Sequence, residues 1–279
     1  MGAAITHAAV QQLSALLVGA LLEADVPAVS ISPMASWNTH AGPKTVVSDN
    51  WSGVQHCLAA GMLPVLHGDV ALDSNPAHHT CILSGDELMV GAAATLPLSL
   101  SVFVSGVDGL YDKPPPPQQL VAAPSAPSVP PSLPGVLPAE QPTAARRIAR
   151  AVATNCSAQG ALSLGALAFA DGELLQLEGG SGGGGFETAT DAHDVTGGIA
   201  EKITCALQVA HASHWRSAGV PVLLTGVHGG SERLADTLHA AVKAAKAGDD
   251  ELPQAIITME QKAMGTLVLP WAIDQLLGD

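Results

Sequence analysis

Polar turns that contain glycine follow three apolar segments in the N-terminal part of this sequence. They are "HGD" (His67–Asp69), "SGD" (Ser84–Asp86) and "SGVDGLYD" (Ser105–Asp112). Glycine lets backbone N–H groups approach a phosphate without an intervening Cβ atom. In open parallel sheets, ligands bind beyond the carboxyl ends of the strands, which is where these turns would lie. Each turn is therefore a candidate position for binding a phosphorylated ligand.

A fourth turn, "VTGG", ends at Gly198 and precedes a predicted helix. The first turn of a helix offers an anion unpaired N–H groups and the positive end of the helix dipole. Lys202 follows about one turn later, so its ammonium group is within reach of the same anion. Together the four turns are typical of a phosphoryl-transfer site, in which the protein positions the reactants and neutralises charge.

Each of these signals also has an ordinary structural explanation. His67, at the end of an apolar segment, is more often a hydrogen-bonded core residue than a catalyst. Asp86 would be a favourable partner of a helix dipole, and Lys202 a solvated helix lysine. No single signal decides between the two explanations, but the ordered set is much more specific than its members.

The elements that must position these turns alternate between strand and helix. This order predicts an α/β fold, with a mainly parallel sheet covered by helices on both faces. Strands are predicted at residues 26–32, 62–67, 80–83, 100–105, 220–225 and 265–270. Helices are predicted at residues 8–24, 49–60, 84–96 and 231–245, and over the segment that ends at Gly219.

Local signals support the first three helices. The first is predicted from leucines at helical spacing, such as Leu13, Leu16 and Leu17. In the second, Ser48 or Asp49 can cap the N-terminus, and an inward face is predicted; that face consists of Val54, Cys57 and Leu58. In the third, Ser84 and Glu87 have the spacing of a capping box.

Charge and composition exclude some classes of function. The 279 residues are 47% hydrophobic, which is enough for a packed core in one large domain or two small ones. Eleven Lys and Arg residues face 25 Asp and Glu residues, a formal net charge of −14. Nucleic-acid binding needs clustered cations, and we interpret the one dense spot, Arg146–Arg150, as the solvated start of a helix. We therefore expect no nucleic-acid partner.

The cysteines and the N-terminal apolar segment favour a cytoplasmic protein. No CxxC pair is present, so a zinc site is not predicted, and the thiols are expected to be reduced. The apolar segment Leu13–Val26 has no preceding basic residue, is interrupted by Glu23 and Asp25, and is too short to span a bilayer. We therefore expect no contact with a membrane. The cysteines are Cys57, Cys81, Cys156 and Cys205.

Two segments interrupt the alternating pattern. Residues 113–142 are proline-rich and cannot bury enough surface to become ordered, so we interpret them as a disordered linker or insertion. Residues 178–185, "EGGSGGGG", lack the Lys-Ser/Thr ending of a phosphate-binding P-loop. They are interpreted as a flexible tip or insertion.

The ordered set of motifs resembles the isopentenyl phosphate kinases, in particular the plant and algal type, a branch of the amino acid kinase superfamily. The resemblance rests on six segments in chain order. They are "SISPMASWNT", "GMLPVLHGDVALD", "CILSGDEL", "VFVSGVDGLYDKPP", "DVTGGIAEKI" and, more weakly, "GTLVLP".

This resemblance implies an αβα sandwich with two lobes and a kinase reaction that supplies an isoprenoid precursor. An acceptor lobe (1–112) would bind isopentenyl phosphate, and a nucleotide lobe (143–279) would bind ATP with Mg²⁺. The implied substrate-binding residues are His67, Gly68 and Asp69, and the implied catalytic residues are Asp86 and Lys202. The implied nucleotide-binding residues are Ser105, Gly106, Asp108, Tyr111, Gly197, Gly198 and Lys202. No protein metal ligand is implied, and a homodimer is compatible with the resemblance.

The sequence also departs from the family pattern. A Lys-x-Gly-Gly strand, which grips the ATP phosphates, and a "GSFGH"-like loop, whose histidine holds the acceptor phosphate, do not occur. Gly106 stands where the family commonly has Asp. We therefore expect the chain as written to be an N-terminally incomplete kinase with poor activity. Two alternatives remain: a non-catalytic relative that binds a nucleotide or a partner, and a kinase acting on another small acidic acceptor.

Overall fold

The computed structural model describes residues 1–106, 109–111, 147–155, 162–169, 174–176, 198–212, 219–226, 230–247, 251–262 and 265–270. Both predicted low-complexity segments lie outside the described residues. The helices are α1 (Gly2–Glu23), α2 (Trp51–Ala59), α3 (Gly85–Thr95), α4 (Gly198–Ala210), α5 (Gly230–Ala245) and α6 (Leu252–Lys262). The N-terminal strands are β1 (Ala28–Ile31), β2 (Asn38–Thr39), β3 (Val46–Ser48), β4 (Leu63–Leu66), β5 (Asp69–Asp73), β6 (Thr80–Leu83), β7 (Ser101–Ser105) and β8 (Leu110–Tyr111). The later strands are β9 (Arg147–Asn155), β10 (Leu162–Phe169), β11 (Leu174–Gln176), β12 (Val222–Gly226) and β13 (Gly265–Pro270).

The largest sheet joins strands from both parts of the chain. Its order is β11-β10-β9-β13-β12-β7, with β8 paired to β9. The β7–β12 and β9–β13 pairs are parallel, whereas β9–β10, β10–β11, β12–β13 and β8–β9 are antiparallel. The α/β class is confirmed, but this sheet is mixed rather than mainly parallel. One reason is that only residues 156–161 separate β9 from β10, which is too few for the crossover that a parallel pair requires.

Helices cover both faces of this sheet, so the predicted αβα layering is confirmed. Successive side chains of a strand point to opposite faces. Leu224 of β12 packs in a core with α3 and α4, and its neighbour Leu223 packs in a second core with α5 and α6. On β13, Val268 belongs to the first core, and Leu267 belongs to the second.

The remaining N-terminal strands form two smaller sheets, a β1–β4 parallel pair and a β3-β2-β5-β6 sheet. Their core contains Trp37 and Trp51, whose rings meet edge to face with centroids 5.5 Å apart. Helix α3 contributes Leu88 and Leu96 to this core. Gly91 allows the close approach, since a Cβ atom there would lie 2.8 Å from the Trp51 ring.

Helix α3 also contributes Ala93 to the first core of the large sheet. The division into lobes at residues 112 and 113 remains a prediction. Strands β7 and β8, which precede that boundary, pair with β12 and β9 of the C-terminal part.

Helix α1 has its apolar side outward and a polar stripe inward. Leu13 and Leu16 are 68% and 72% exposed, and Ser14 is the buried residue of the helix. The helix begins at Gly2, six residues earlier than predicted, and Glu23 is its last residue. The N-terminal apolar segment was predicted to be too short to span a bilayer. That prediction was wrong, because helix α1 is long and apolar enough to cross a membrane, judged by length and composition.

Two further predictions need correction. Residues 147–150 of the Arg-rich segment predicted to start a helix lie in β9, where Ile148 is fully buried between β10 and β8. The sequence of β9 does not alternate between apolar and polar residues, because a central strand is covered on both faces. In α2, Val54 is buried as predicted, but Leu58 is 47% exposed. The helix begins two residues later than predicted, with Asn50 as its N-cap.

Candidate functional site

The first turn of α3 is fixed by its N-cap. Ser84 has extended backbone geometry, and its Oγ atom accepts a hydrogen bond of 3.2 Å from the Glu87 N–H. This satisfies one of the N–H groups that a helix start leaves unpaired. Asp86 and Glu87 occupy the first turn, where the helix dipole favours negative charge. The predicted cap is therefore present at the start of the helix that carries Asp86.

Asp86 binds Lys202, which lies 116 residues later and about one turn into α4. The Lys202 ammonium group donates to both carboxylate oxygens of Asp86 at 2.8 Å, and each side chain is 20% exposed. The same ammonium lies 5.7 Å from the centroid of the Phe103 ring, within range of a cation–π contact. An ammonium has three N–H donors, so, among the residues that the structure describes, one is left for a further acceptor.

The turn between β4 and β5 lies against the start of the same helix. A Cβ atom at Gly68 would lie 3.1 Å from the Gly85 nitrogen and 3.4 Å from the Leu83 carbonyl oxygen. Any side chain at Gly68 would therefore fill the space in front of the helix N-terminus. Gly85 precedes Asp86, so the first turn of α3 connects the Gly68 turn to the Asp86–Lys202 pair.

Asp69 is the centre of a hydrogen-bond network at this turn and is 1% exposed. Its Oδ2 atom accepts from Ser32 Oγ at 2.7 Å and lies 2.8 Å from His7 Nδ1, and its Oδ1 atom accepts from the Val70 N–H at 2.7 Å. Burial alone would raise the pKa of Asp69, but these hydrogen bonds outweigh burial and hold it below its usual value. Asp69 is therefore an ionised, buried carboxylate at neutral pH.

His67, the residue that follows β4, faces the same carboxylate. Its Nδ1 atom lies 3.2 Å from the Gly68 carbonyl oxygen and 3.9 Å from Asp69 Oδ2. Its Nε2 atom lies 3.4 Å from Gln11 Nε2 of α1. The three residues predicted for the acceptor site are consecutive, and the structure places His7, Gln11 and Ser32 against them. Their role in acceptor binding remains a prediction.

The sequence analysis did not identify His7 or Gln11, although a signal was present. His7, Gln11 and Ser14 are spaced as one stripe of a helix, and they interrupt an otherwise apolar segment. Ser14 Oγ pairs with Ser30 Oγ of β1 at 2.7 Å, so the whole stripe contacts the strands.

A second ion pair lies beside the first. Lys44 Nζ is 2.9 Å from Glu201 Oε1, and Glu201 precedes Lys202 on α4. Ligand atoms of Glu87, Glu201 and Cys205 lie within 4.8 Å of one another. Burial raises the pKa of Glu87, and it raises the pKa of the Cys205 thiol to about 12. Because Lys44 already binds Glu201 and the thiol stays protonated, we assign no metal to this cluster.

The predicted nucleotide-binding residues are described only in part. Ser105 ends β7 opposite Gly226, and Tyr111 of β8 pairs with Arg147 of β9. Gly198 begins α4. A Cβ atom at Gly106 would have open space around it. Asp108 and Gly197 lie outside the described residues, and the roles of all these residues remain predictions.

Comparison with known proteins agrees with the predicted family. The amino acid kinase family model matches residues 1–126. An isopentenyl phosphate kinase from Methanothermobacter thermautotrophicus is 34% identical over 114 residues, which are 41% of this chain and 42% of the relative. One from Arabidopsis thaliana is 34% identical over 119 residues, which are 42% of this chain and 35% of the relative. The aligned parts thus span about two fifths or less of these relatives.

Among solved structures, an isopentenyl phosphate kinase has a TM-score of 0.49 and 18% identity to this chain. The match covers 96% of this chain and 69% of the other. The family model matches the part of the chain that carries the Gly68 turn and the capped start of α3. Residues 1–126 are therefore similar in sequence to the amino acid kinase family.

Proposed function

We propose that the chain is an ATP-dependent kinase that phosphorylates isopentenyl phosphate to isopentenyl diphosphate, an isoprenoid precursor. The observation that carries this proposal is the Asp86–Lys202 pair. It places a half-buried lysine at the start of one helix, next to a capped helix start that contacts the Gly68 turn. The two curated relatives described above bear the name of this enzyme and support the choice of acceptor.

In the proposed reaction, an oxygen of the acceptor phosphate attacks the γ-phosphorus of ATP. The bond between the γ-phosphorus and the β,γ-bridging oxygen breaks, and ADP leaves with that oxygen. Charge is spread over the three oxygens of the transferred group, which is where the third N–H of the Lys202 ammonium would donate. Asp86 holds that ammonium in place and does not contact the substrate.

Mg²⁺ is part of the proposal because ATP carries it in most phosphoryl transfers. Two of the carboxylates described near Lys202 have partners already, since Asp86 binds Lys202 through both oxygens and Glu201 binds Lys44. This arrangement fits a magnesium ion held mainly by the ATP phosphates, with water completing its coordination.

The test is turnover of isopentenyl phosphate with Mg-ATP, followed by ³¹P NMR of the product and by ADP release. Lys202→Met should lower kcat by about 10²- to 10³-fold, the usual loss when a charge-stabilising donor is removed. Lys44→Met is the matched control, because this lysine also binds a carboxylate on α4 but is 65% exposed. Full activity of Lys202→Met would refute the assignment.

The same assay distinguishes the alternatives. Nucleotide binding without turnover would favour a non-catalytic relative, and a rate well below about 1 per second would agree with the expected weak activity. Faster turnover of a carbamate, an amino acid or a nucleoside monophosphate than of isopentenyl phosphate would replace the proposed acceptor.

We also propose that two copies associate through the exposed side of α1. Ile5, Leu13 and Leu16 are each more than 60% exposed on this side, and no Lys or Arg precedes Lys44 in the chain. An uncharged face can pair with itself across a twofold axis despite a net charge of −14. The polar stripe on the opposite side binds the strands, which favours a protein partner over a membrane.

Light scattering on the purified chain tests this association. Leu16→Glu should convert a dimer into a monomer, whereas Leu58→Glu, an exposed leucine on α2, should leave the dimer intact. A wild-type monomer would refute the proposal. We propose a cytoplasmic location, where ATP is available and thiols remain reduced; fractionation of cells tests it.

A further inference from the structure

The ring of Phe103 lies beside the ammonium group of Lys202. Phe103 is in β7, and the Lys202 nitrogen lies over its ring, 5.7 Å from the centroid. The face of an aromatic ring carries partial negative charge and attracts a cation within about 6 Å. The same ammonium donates to both carboxylate oxygens of Asp86 at 2.8 Å. It is therefore held by a carboxylate and by an aromatic face.

The fold gives this ring a fixed position. Phe103 is 4% exposed and packs in the core that also contains Ala93 of α3 and Ala206 of α4. On β7 it pairs in register with Leu224 of β12. A buried side chain on a paired strand has few alternative positions, because protein cores are close-packed. The ring is thus a rigid surface against which the flexible stem of Lys202 can be fixed.

An aromatic face differs from a second carboxylate in its effect on charge. A carboxylate would neutralise the ammonium and repel the phosphoryl oxygens, whereas a ring attracts the cation without adding formal charge. The acidic residues next to Asp86 and Lys202 in the sequence add little negative charge here. Glu201 is bound by Lys44, and burial raises the pKa of Glu87, which favours its neutral form. The positive charge of Lys202 thus stays available to a phosphoryl group.

We propose that Phe103 is a positioning residue for phosphoryl transfer, whose ring face holds the Lys202 ammonium so that its third N–H meets the transferred group. This inference rests on the proposed function, because Lys202 is the group that would donate to the phosphoryl oxygens. The two hydrogen bonds to Asp86 alone would let the ammonium pivot about them. The ring restricts that movement and keeps water from one side of the ammonium, which strengthens its electrostatic interactions.

A role in core packing alone predicts a different behaviour. Phe103 would then act only through its volume and apolar surface, and a change that keeps both would have little effect. Attraction of a cation depends instead on the negative charge of the ring face. Replacing ring hydrogens by fluorine withdraws that charge and changes the volume of the ring little. Fluorination therefore separates the two roles.

The experiment is a series of full chains in which the ring of Phe103, at this position alone, carries no, one, two or three fluorines. Urea unfolding measures the stability of each member, in the wild type and in Lys202→Met. With Lys202 present, the urea midpoint should fall with each added fluorine. In Lys202→Met it should not fall. The same trend in both backgrounds, or no trend in either, would overturn the inference.

Turnover of isopentenyl phosphate with Mg-ATP is the second readout. From no fluorine to three, kcat should fall by about 3- to 10-fold, while KM for ATP changes by less than about twofold. The matched control is Leu167→Val, because Leu167 belongs to the same core but lies on β10, separated from β7 by β9, β13 and β12. It should lower the melting temperature and leave kcat unchanged. A constant kcat along the fluorine series would overturn the positioning role.

Failure of the proposed function gives a different result. If the wild type does not phosphorylate isopentenyl phosphate but its urea midpoint falls with fluorination only when Lys202 is present, the proposed function fails and the hold of the ring on the ammonium is supported. If the wild type is active and neither the midpoint nor kcat responds to fluorination, only the inference about Phe103 fails. If Lys202→Met is fully active, the role of Lys202 and the inference about Phe103 both fail.

Discussion

The Asp86–Lys202 pair should contribute measurably to folding, independently of any activity. Both side chains are only 20% exposed, and the ammonium contacts both carboxylate oxygens at 2.8 Å. Exposed ion pairs contribute about 0.2–1 kcal/mol, and breaking a buried pair costs about 3–5 kcal/mol. This half-buried, bidentate pair lies between those limits. We therefore expect a coupling free energy of about 1–2 kcal/mol from a double-mutant cycle.

The cycle consists of the wild type, Asp86→Asn, Lys202→Met and the double variant. Urea unfolding followed by circular dichroism gives the free energy of unfolding of each, at low salt and at 1 M NaCl. The coupling should persist in high salt, because partly buried pairs are poorly screened.

A second pair on the same helix provides the control. Lys44 is 65% exposed and binds Glu201, so the cycle of Lys44→Met and Glu201→Gln should give less than about 0.5 kcal/mol and should vanish in high salt. The reasoning is refuted if the two cycles give equal coupling. It is also refuted if 1 M NaCl abolishes the Asp86–Lys202 coupling.

Three further predictions follow from other residues. Four hydrogen bonds to Asp73 outweigh its burial and lower its pKa to about 2, below the unfolded value of about 3.9. Stabilisation by its charge is therefore complete above about pH 4 and is lost as the pH falls towards 2. In urea unfolding, the loss of stability caused by Asp73→Asn should therefore shrink over that pH range. At Gly109, φ is +100°, and a Cβ atom would lie 2.6 Å from an atom of β13, so Gly109→Ala should lower the melting temperature, unlike Gly106→Ala, where space is open. The Cys205 thiol is buried with a pKa of about 12, so iodoacetamide at pH 8 should modify the partly exposed Cys57 and Cys81 before Cys205, as mass mapping would show; faster labelling of Cys205 would contradict the buried position.

Local signals predicted those elements whose sequence pattern reflects one buried face. Ser84 and Glu87 predicted the start of α3, because the cap is made within four residues. Strand β9 was missed because it is covered on both sides, and a central strand such as the one around Ile148 has no alternation to detect. In α1, leucine spacing predicted a helix, but spacing alone does not say whether the apolar side or the polar side meets the strands.

The candidate site was predictable only where its residues lie in turns. The "SGD" and "TGG" turns led to Asp86 and Lys202, which the structure places in contact although 116 residues separate them. His7 was missed because a single histidine in an apolar helix carries no turn signal. Its importance depends on Asp69, 62 residues away, and that pairing is a property of the packed structure.

Helix α3 determines how cooperatively the chain unfolds. Its side chains belong to two cores, since Leu88 and Leu96 pack with the N-terminal tryptophans and Ala93 packs under the large sheet. Detaching the N-terminal sheets would expose both cores at once and would also break the Asp86–Lys202 pair. Partial opening at this helix is therefore nearly as costly as global unfolding, so amide protons on either side of it should exchange with solvent through the same rare event.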